Sequence, residues 1–119
     1  MSTADRASAV SVVVDASPEG VQKYTARVTC TDGEIAAVEA GALAQFFEIV
    51  EGGEGSQAVR ARAVDMTGEA RHIDEPTGLF DVEFAEPVDP QSIRLNFETI
   101  IDHAGETVPG ESLRFDAIA

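Results

Sequence analysis

The sequence predicts an all-β fold, in which short antiparallel strands form a sandwich. Three observations indicate this class: apolar and polar residues alternate with period two, turn residues separate the alternating segments, and no segment has a convincing helical pattern. The chain has 119 residues and a hydrophobic content of 44%. Because that length and composition suit one domain with a substantial core, residues 1–119 are expected to form a single sandwich domain.

Three predicted strands lie in the first part of the chain. They are the valine-rich "AVSVVVD" (9–15), the regularly alternating "VQKYTARVTC" (21–30) and the short "EIAAVEAG" (34–41). The sequence "SPEG" marks the turn after the first strand, because proline and glycine favour turns. Residues 1–8, "MSTADRAS", contain no apolar run, and we expect them to be disordered or the remnant of an earlier strand.

The segment "ALAQFFEIV" (42–50) allows two interpretations. Its residues Leu43, Phe46, Phe47 and Val50 have helical spacing, whereas nine residues between glycines suit a strand equally well. Both remain open at this stage.

The second part of the chain predicts four more strands, "QAVRARAVD" (57–65), "LFDVEFAEP" (79–87), "SIRLNFETI" (92–100) and "SLRFDA" (112–117). Each alternates between apolar and polar or charged residues, which is typical of a strand with one buried face. The predicted core consists of apolar residues from the inward faces: Val12, Val28, Val59, Phe80, Val82, Phe84, Leu95, Phe97 and Phe115.

The charge is strongly acidic and excludes several kinds of partner. The formal net charge is −14, from 22 acidic and 8 basic residues. Such a surface repels nucleic acids and anionic membranes, and no apolar run is long enough to insert into a membrane. Lys23 is the only lysine. High acidity with almost no lysine suggests a protein adapted to high salt, and a merely acidic protein from a moderate habitat is the alternative.

The polar segment "IIDHAGETVPG" (100–110) is either a metal or acid–base site or a turn between two strands. It contains Asp102, His103 and Glu106 together with turn-forming glycine and proline, so we predict a turn. Weak calcium binding at Asp102 and Glu106 is an open possibility, because calcium prefers clustered oxygen ligands. His72 and His103 share no metal-ligand spacing and are expected to be solvated, and Cys30 is expected to be a core residue. The sequence therefore predicts no catalytic site and no cofactor.

A sugar-binding platform is also disfavoured by the sequence. The chain has no Trp and one Tyr, and only Phe46 or Phe47 among its aromatic residues is not already assigned to an apolar face. The glycine-rich "EGGEG" (51–55) lacks the lysine and the following helix that a phosphate-binding loop requires. Polysaccharide binding is therefore a weak alternative.

Several motifs, taken in order, resemble cohesin domains. "VSVVVDASPEGVQKYTARVTCTDGEIAAVEAG" is similar to the cohesin order of a valine-rich strand, a proline–glycine turn, a long strand and an "I-x-x-V-x-x-G" element. "QAVRARAVDMTG", "TGLFDVEFAEP" and "SIRLNFETIIDHAGETVPG" resemble later cohesin strands and their turns. The resemblance spans roughly residues 9–117, and it lacks the additional strand with which cohesins usually begin.

The resemblance implies a jelly-roll sandwich of about eight or nine strands with no enzymatic activity. Cohesins bind dockerins, which are small calcium-loaded helical modules, through one flat sheet face. The segments that correspond to this face are 21–30, 57–65, 78–85 and about 99–103. The expected partner-binding residues are Lys23, Thr25, Arg27, Arg60, Arg62, Val64, Leu79, Asp81 and Glu83.

This face would hold half of the basic residues, namely Lys23, Arg27, Arg60 and Arg62. Arginine is enriched at interfaces, so a partner with acidic groups is one interpretation. The other is cross-strand pairing with Asp81 and Glu83.

The expected function is accordingly a non-catalytic interaction module that docks a dockerin-like module. We expect the chain to belong to an exported or cell-surface protein of a halophilic archaeon, without its signal peptide. A purely structural sandwich of a surface or adhesion protein is the alternative, followed by a carbohydrate-binding module and, last, an enzyme.

Overall fold

Two antiparallel four-stranded sheets make up the fold, which is all-β, with 60% strand and 7% helix. The computed structural model describes residues 6–66, 68 and 71–118. Within them the strands are β1 (Ala7–Val14), β2 (Lys23–Cys30), β3 (Ile35–Ala40), β4 (Phe47–Gly52), β5 (Ala58–Val64), β6 (Thr77–Val88), β7 (Ile93–Ile101) and β8 (Leu113–Ile118). Single 3-10 turns occupy Ala44–Phe46, Pro90–Ser92 and Gly110–Ser112.

The strand order is β3-β6-β1-β8 in one sheet and β4-β5-β2-β7 in the other. Strands β4 and β5 form a hairpin within one sheet, and every other connection between consecutive strands passes from one sheet to the other. Each outer strand pairs with an inner strand, which gives the pairs β1–β8, β2–β7, β3–β6 and β4–β5. Pairing between the inner strands, β1 with β6 and β2 with β5, joins these pairs into the two sheets. The predicted antiparallel β-sandwich is therefore confirmed.

The core lies between the inward faces of the two sheets. Of the nine predicted core residues, the six on β1, β2, β5 and β6 are buried. Leu95, Phe97 and Phe115 are only partly buried and pack against the core from its margin. Their strands, β7 and β8, are edge strands, where a side chain has a packed neighbour on one side only.

An aromatic cluster occupies the centre of the core. The rings of Tyr24 and Phe80 stack with their centroids 5.9 Å apart, and Phe47 and Phe97 contact this pair. The Tyr24 hydroxyl donates a hydrogen bond to the carbonyl oxygen of Leu79 (3.3 Å), which satisfies the polar end of the ring inside the sandwich. Burial raises the pKa of Tyr24, because the phenolate would lose its hydration there.

The ambiguous segment 42–50 contains both a helical turn and a strand. A 3-10 turn at Ala44–Phe46 leads directly into β4. Leu43, just before the turn, has a positive φ of 64° and is completely buried. Burial of its side chain offsets the cost of the left-handed backbone, so the chain changes direction here and leaves Phe46 on the surface.

At the N-terminus, strand β1 begins two residues earlier than predicted. Ala7 is 1% exposed and Ser8 is also part of β1, so these two residues are neither disordered nor a separate strand, while the first five residues lie outside the described part. Strand β8 pairs directly with β1, for example Phe115 opposite Val12, so β8 itself forms the edge of its sheet. No helix among the described residues is long and apolar enough to span a membrane.

Candidate partner-binding face

Six of the nine predicted binding residues lie on the outer face of the β4-β5-β2-β7 sheet, which we call the basic face. Strand β2 contributes Lys23, Thr25 and Arg27, and β5 contributes Arg60, Arg62 and Val64. The two strands are neighbours, and Lys23 lies directly opposite Val64, Thr25 opposite Arg62, and Arg27 opposite Arg60. The alternation of the sequence thus correctly predicted these six orientations.

The placement of Leu79, Asp81 and Glu83 on the same face is wrong. All three belong to β6, which lies in the opposite sheet. The chain crosses from one sheet to the other after β5, and period-two alternation carries no information about which sheet a strand joins. Asp81 and Glu83 are exposed as predicted, on the outer face of the β3-β6-β1-β8 sheet.

Leu79 is also buried rather than exposed, with 0% of its surface accessible. The pairing of β6 with β1 shifts register here, because Phe80 lies opposite Val12 while Gly78 lies opposite Val13. A bulge of this kind breaks the alternation, so two consecutive residues of β6 both point into the core. A substitution of Leu79 therefore perturbs the core and cannot test partner binding.

Four charged side chains on the basic face form a closed ring of ion pairs. Arg27 and Arg60 lie opposite each other, and Glu51 and Glu98 flank them. The shorter contacts join Arg60 to Glu98 (2.8 Å) and Arg27 to Glu51 (3.2 Å), and the longer ones join Arg27 to Glu98 and Arg60 to Glu51 (both 3.8 Å). Arginines of β2 and β5 therefore do pair across strands, but with glutamates of β4 and β7 rather than with Asp81 and Glu83.

The other end of the basic face has a different balance of charge. Arg62 pairs with Glu48 of the neighbouring strand β4. Lys23 has no ion-pair partner among residues 6–66, 68 and 71–118.

The two outer faces differ in the sign of their charge. The basic face carries five basic side chains against three glutamates, in a chain whose net charge is −14. They are Lys23, Arg27, Arg60, Arg62 and Arg94, with Glu48, Glu51 and Glu98. The opposite face carries Glu39, Asp81, Glu83 and Asp116, with Arg114 held between Asp15 and Asp116. Of the two outer faces, the basic face is therefore the one that repels an acidic partner less.

A groove of about 670 Å³ crosses the basic face at its Lys23 end, and we call it the Lys23 groove. Its lining residues are Lys23, Tyr24, Thr25, Phe46, Phe47, Glu48, Arg62, Ala63, Val64, Met66 and Thr99. Phe46 is 50% exposed and Met66 is 68% exposed. Large apolar side chains that remain this exposed beside charged groups are characteristic of protein-binding surfaces.

His103 is part of a partly buried contact that the sequence did not reveal. Its Nε2 lies 2.9 Å from Oδ2 of Asp65, whose side chain has no exposed surface, and the other oxygen of Asp65 accepts a hydrogen bond from the backbone of Gly68. The expectation of a solvated His103 is therefore wrong. The contact joins residues 38 positions apart on two loops, so no local pattern could have indicated it. His72 is 63% exposed as expected, and its Nδ1 donates to the carbonyl oxygen of Pro18.

The segment 100–110 forms a turn, as predicted. The Asp102 backbone N–H donates to the carbonyl oxygen of Glu106, and Oδ1 of Asp102 accepts hydrogen bonds from the backbones of Ala104 and Glu106, each at 2.9 Å. Aspartate commonly organises turns in this way. Weak calcium binding at Asp102 and Glu106 stays a prediction, which a calorimetric titration with calcium tests.

Cys30 is buried, as predicted, and its Sγ lies 3.4 Å from the hydroxyl of Ser92. No group of three or more His, Cys, Asp or Glu side chains suited to a metal ion occurs in the part of the chain that the structure describes.

Comparisons with known proteins add no assignment: no family model, no curated protein and no solved structure matches this chain.

Proposed function

We propose that this chain is a non-catalytic, cohesin-like module that docks a calcium-loaded dockerin-like module of a partner protein through the basic face. The observation that carries the proposal is that exposed Phe46 and Met66 share one groove with Lys23, whose ammonium has no ion-pair partner among the described residues. Apolar anchors next to an available charge suit recognition of another protein. Calcium belongs to the partner, and this chain needs no cofactor of its own.

The pairing of the strands supports a jelly-roll topology. The pairs β1–β8, β2–β7, β3–β6 and β4–β5 are those of a single long hairpin that folds over on itself to give two sheets. Eight strands in two sheets with Greek-key connections define a jelly roll. In this proposal the flat basic face corresponds to the docking face of cohesins, and its contact residues are Lys23, Thr25, Arg27, Arg60, Arg62 and Val64.

The acidic composition fits an exported or cell-surface protein of a halophilic archaeon. At high salt the mutual repulsion of the acidic residues is screened over a few ångströms, so such a surface stays soluble without destabilising the fold. The same screening limits long-range attraction, which makes the exposed apolar side chains of the groove more important for affinity.

A purely structural sandwich of a surface protein is the second candidate. The ion-pair ring of Arg27, Arg60, Glu51 and Glu98 favours it, because those arginines already have partners within the chain. A carbohydrate-binding module has less support, since Phe46 is the one exposed aromatic ring among the described residues.

Isothermal titration calorimetry with dockerin-type modules from the same genome tests the proposal. We expect one-to-one binding in calcium that is lost when EDTA removes calcium from the dockerin. Arg62→Ala and Phe46→Ala should each weaken binding by about tenfold or more, on the scale of an interface anchor. Glu83→Ala, an exposed change on the opposite face, is the matched control and should leave the affinity unchanged.

Two results would contradict the proposal. Loss of affinity in Glu83→Ala with full affinity in Arg62→Ala and Phe46→Ala would move the docking surface to the other sheet. The absence of binding to any dockerin-type module would favour the structural sandwich.

A further inference from the structure

The basic side chains of the basic face fall into two groups with different capacity to bind a partner. Arg27 and Arg60 each contact both Glu51 and Glu98, so a partner's carboxylate gains little there unless it displaces a glutamate. Lys23 has no such competitor among the described residues and lies beside an apolar wall. The Lys23 groove, rather than the arginine ring, is therefore the part of the face that can gain most from an acidic partner.

The groove combines its positive and apolar groups at a spacing that a helix can match. Lys23 and Val64 lie directly opposite each other on β2 and β5, which places their Cβ atoms about 5 Å apart. Residues i and i+4 of an α-helix are separated by about 5–6 Å on one face. A helix with an acidic residue and an aliphatic residue at this spacing can therefore meet Lys23 and Val64 together.

The walls of the groove provide further apolar surface for such a helix. Met66 continues from Val64 at the end of β5, and Phe46 projects from the 3-10 turn beside β4. Thr25 and Thr99 line the groove on the adjacent strands β2 and β7 and offer neutral hydroxyl groups. Because methionine side chains adapt to different shapes, Met66 can close over an aliphatic side chain without a fixed fit.

We infer that the Lys23 groove recognises an acidic amphipathic helix, in which an aliphatic side chain packs on Val64 beside Phe46 and Met66 and a carboxylate four residues away binds Lys23. This inference rests on the proposed function and specifies the chemistry of the partner. It also assigns specificity to Lys23, Phe46 and Met66, two of which were not among the residues predicted from the sequence.

Charge complementarity favours this occupant over others. A net charge of −14 opposes nucleic acids and anionic lipids, and a second copy of the chain would bring the same charge to the interface. A helix with a few carboxylates on one face carries enough negative charge to use Lys23 while its apolar face covers Phe46, Val64 and Met66.

Fluorescence anisotropy with two designed peptides tests the inference. The first is a fluorescein-labelled helical peptide of about 15 residues, with leucines along one face and a glutamate four residues from each leucine. The second is identical except that lysine replaces each of those glutamates. We expect the acidic peptide to bind at least about tenfold more tightly than the basic one, as favourable and unfavourable contacts with one charge predict.

Protein variants locate the binding site. Lys23→Ala and Met66→Ala should each weaken binding of the acidic peptide by about fivefold or more, which is within the range of single interface side chains. Arg94→Ala is the matched control, because it removes a positive charge from the far end of the same face, opposite Thr29. It should change the affinity by less than about twofold. All three side chains are exposed, and thermal melts verify that each variant folds.

Several outcomes overturn the inference. Equal affinity for the two peptides, or equal losses in Lys23→Ala and Arg94→Ala, would show that no specific site exists in the groove. A dimer in sedimentation equilibrium that Lys23→Ala dissociates would make a second copy the occupant. Dockerin binding separates the inference from the proposed function. If Lys23→Ala leaves dockerin binding intact while Arg62→Ala abolishes it, the inference fails and the proposed function stands. If no dockerin binds but the acidic peptide binds at Lys23, the proposed function fails and the helix specificity of the groove stands.

Discussion

Two phenylalanine substitutions on different strands should have clearly different costs. Phe80 is completely buried on β6, an inner strand, and its ring lies 5.9 Å from those of both Tyr24 and Phe47. Phe97 is half-buried on β7, an edge strand, and contacts Tyr24 edge-on at 6.3 Å. From the sequence alone Phe97 would have been placed in the middle of the core, and its substitution would have been expected to cost as much as that of Phe80.

The expected magnitudes follow from the area that each ring removes from water. An aromatic side chain buries about 150–250 Å², and at about 25 cal/mol per Å² its full removal costs about 4–6 kcal/mol. Alanine retains one carbon of the side chain, so we expect Phe80→Ala to cost about 3–5 kcal/mol, in line with measured core truncations. A half-buried ring loses about half as much, so Phe97→Ala should cost about 1.5–2.5 kcal/mol.

Urea unfolding at a fixed, high concentration of KCl measures both costs. Far-UV circular dichroism follows the loss of the sheets, and the fluorescence of Tyr24, the single tyrosine, reports on the core independently. If Phe80→Ala does not fold, Phe80→Leu restores part of the volume and should still lose more stability than the matching Phe97→Leu. A loss in the Phe97 variant equal to or larger than that in the Phe80 variant would refute the assignment of β7 to the edge of its sheet.

Three further predictions concern salt, acid and the buried carboxylate. The melting temperature should rise steadily with KCl because screening reduces repulsion within a chain of net charge −14, and a flat series would refute adaptation to high salt. The backbone N–H of Asp89, and then Arg6, lower the pKa of Asp32, so the stability that Asp32 contributes should be complete above the unfolded pKa of about 3.9 and be lost as pH falls through the lower folded pKa. In Asp32→Asn the melting temperature should therefore fall less steeply with decreasing pH than in the unchanged protein. An equal fall in both would contradict a stabilising role of the Asp32 carboxylate. Asp65→Ala should lower the free energy of unfolding in urea by about 1–3 kcal/mol, because it leaves the Gly68 N–H and His103 without their acceptor. Adding His103→Ala to that variant should lower the stability little further, and additive losses in the double variant would refute a direct pair.

The sequence was sufficient for the fold class because alternation reports directly on burial within each strand. The inward and outward residues of β2 and β5 were predicted correctly, as were the exposed orientations of Asp81 and Glu83. The same pattern could not indicate that β6 joins the opposite sheet, since both sheets present one apolar face to a shared core. Leu79 was misplaced because a bulge between Gly78 and Phe80 interrupts the alternation. Gly78 was the one local signal, since glycine within a strand often marks a bulge.

The most informative side chains of the candidate site come from segments without a regular pattern. Phe46 lies in a single 3-10 turn whose direction depends on the buried Leu43, and Met66 follows the end of β5. The ion-pair partners Glu51 and Glu98 lie on strands far apart in sequence, so only the sheet order brings them to Arg27 and Arg60. Such contacts depend on topology, which the period of a sequence does not specify.

The most direct test of the partner-binding face is an NMR titration of the ¹⁵N-labelled chain with an unlabelled, calcium-loaded dockerin-type module. Assigned amide signals report on every strand at once, independently of any substitution. We predict that the largest chemical-shift changes lie at Lys23, Thr25, Val64 and Met66, on and beside the basic face. Changes centred on Asp81 and its neighbours of the opposite face, or no changes at all, would contradict the proposed mode of binding.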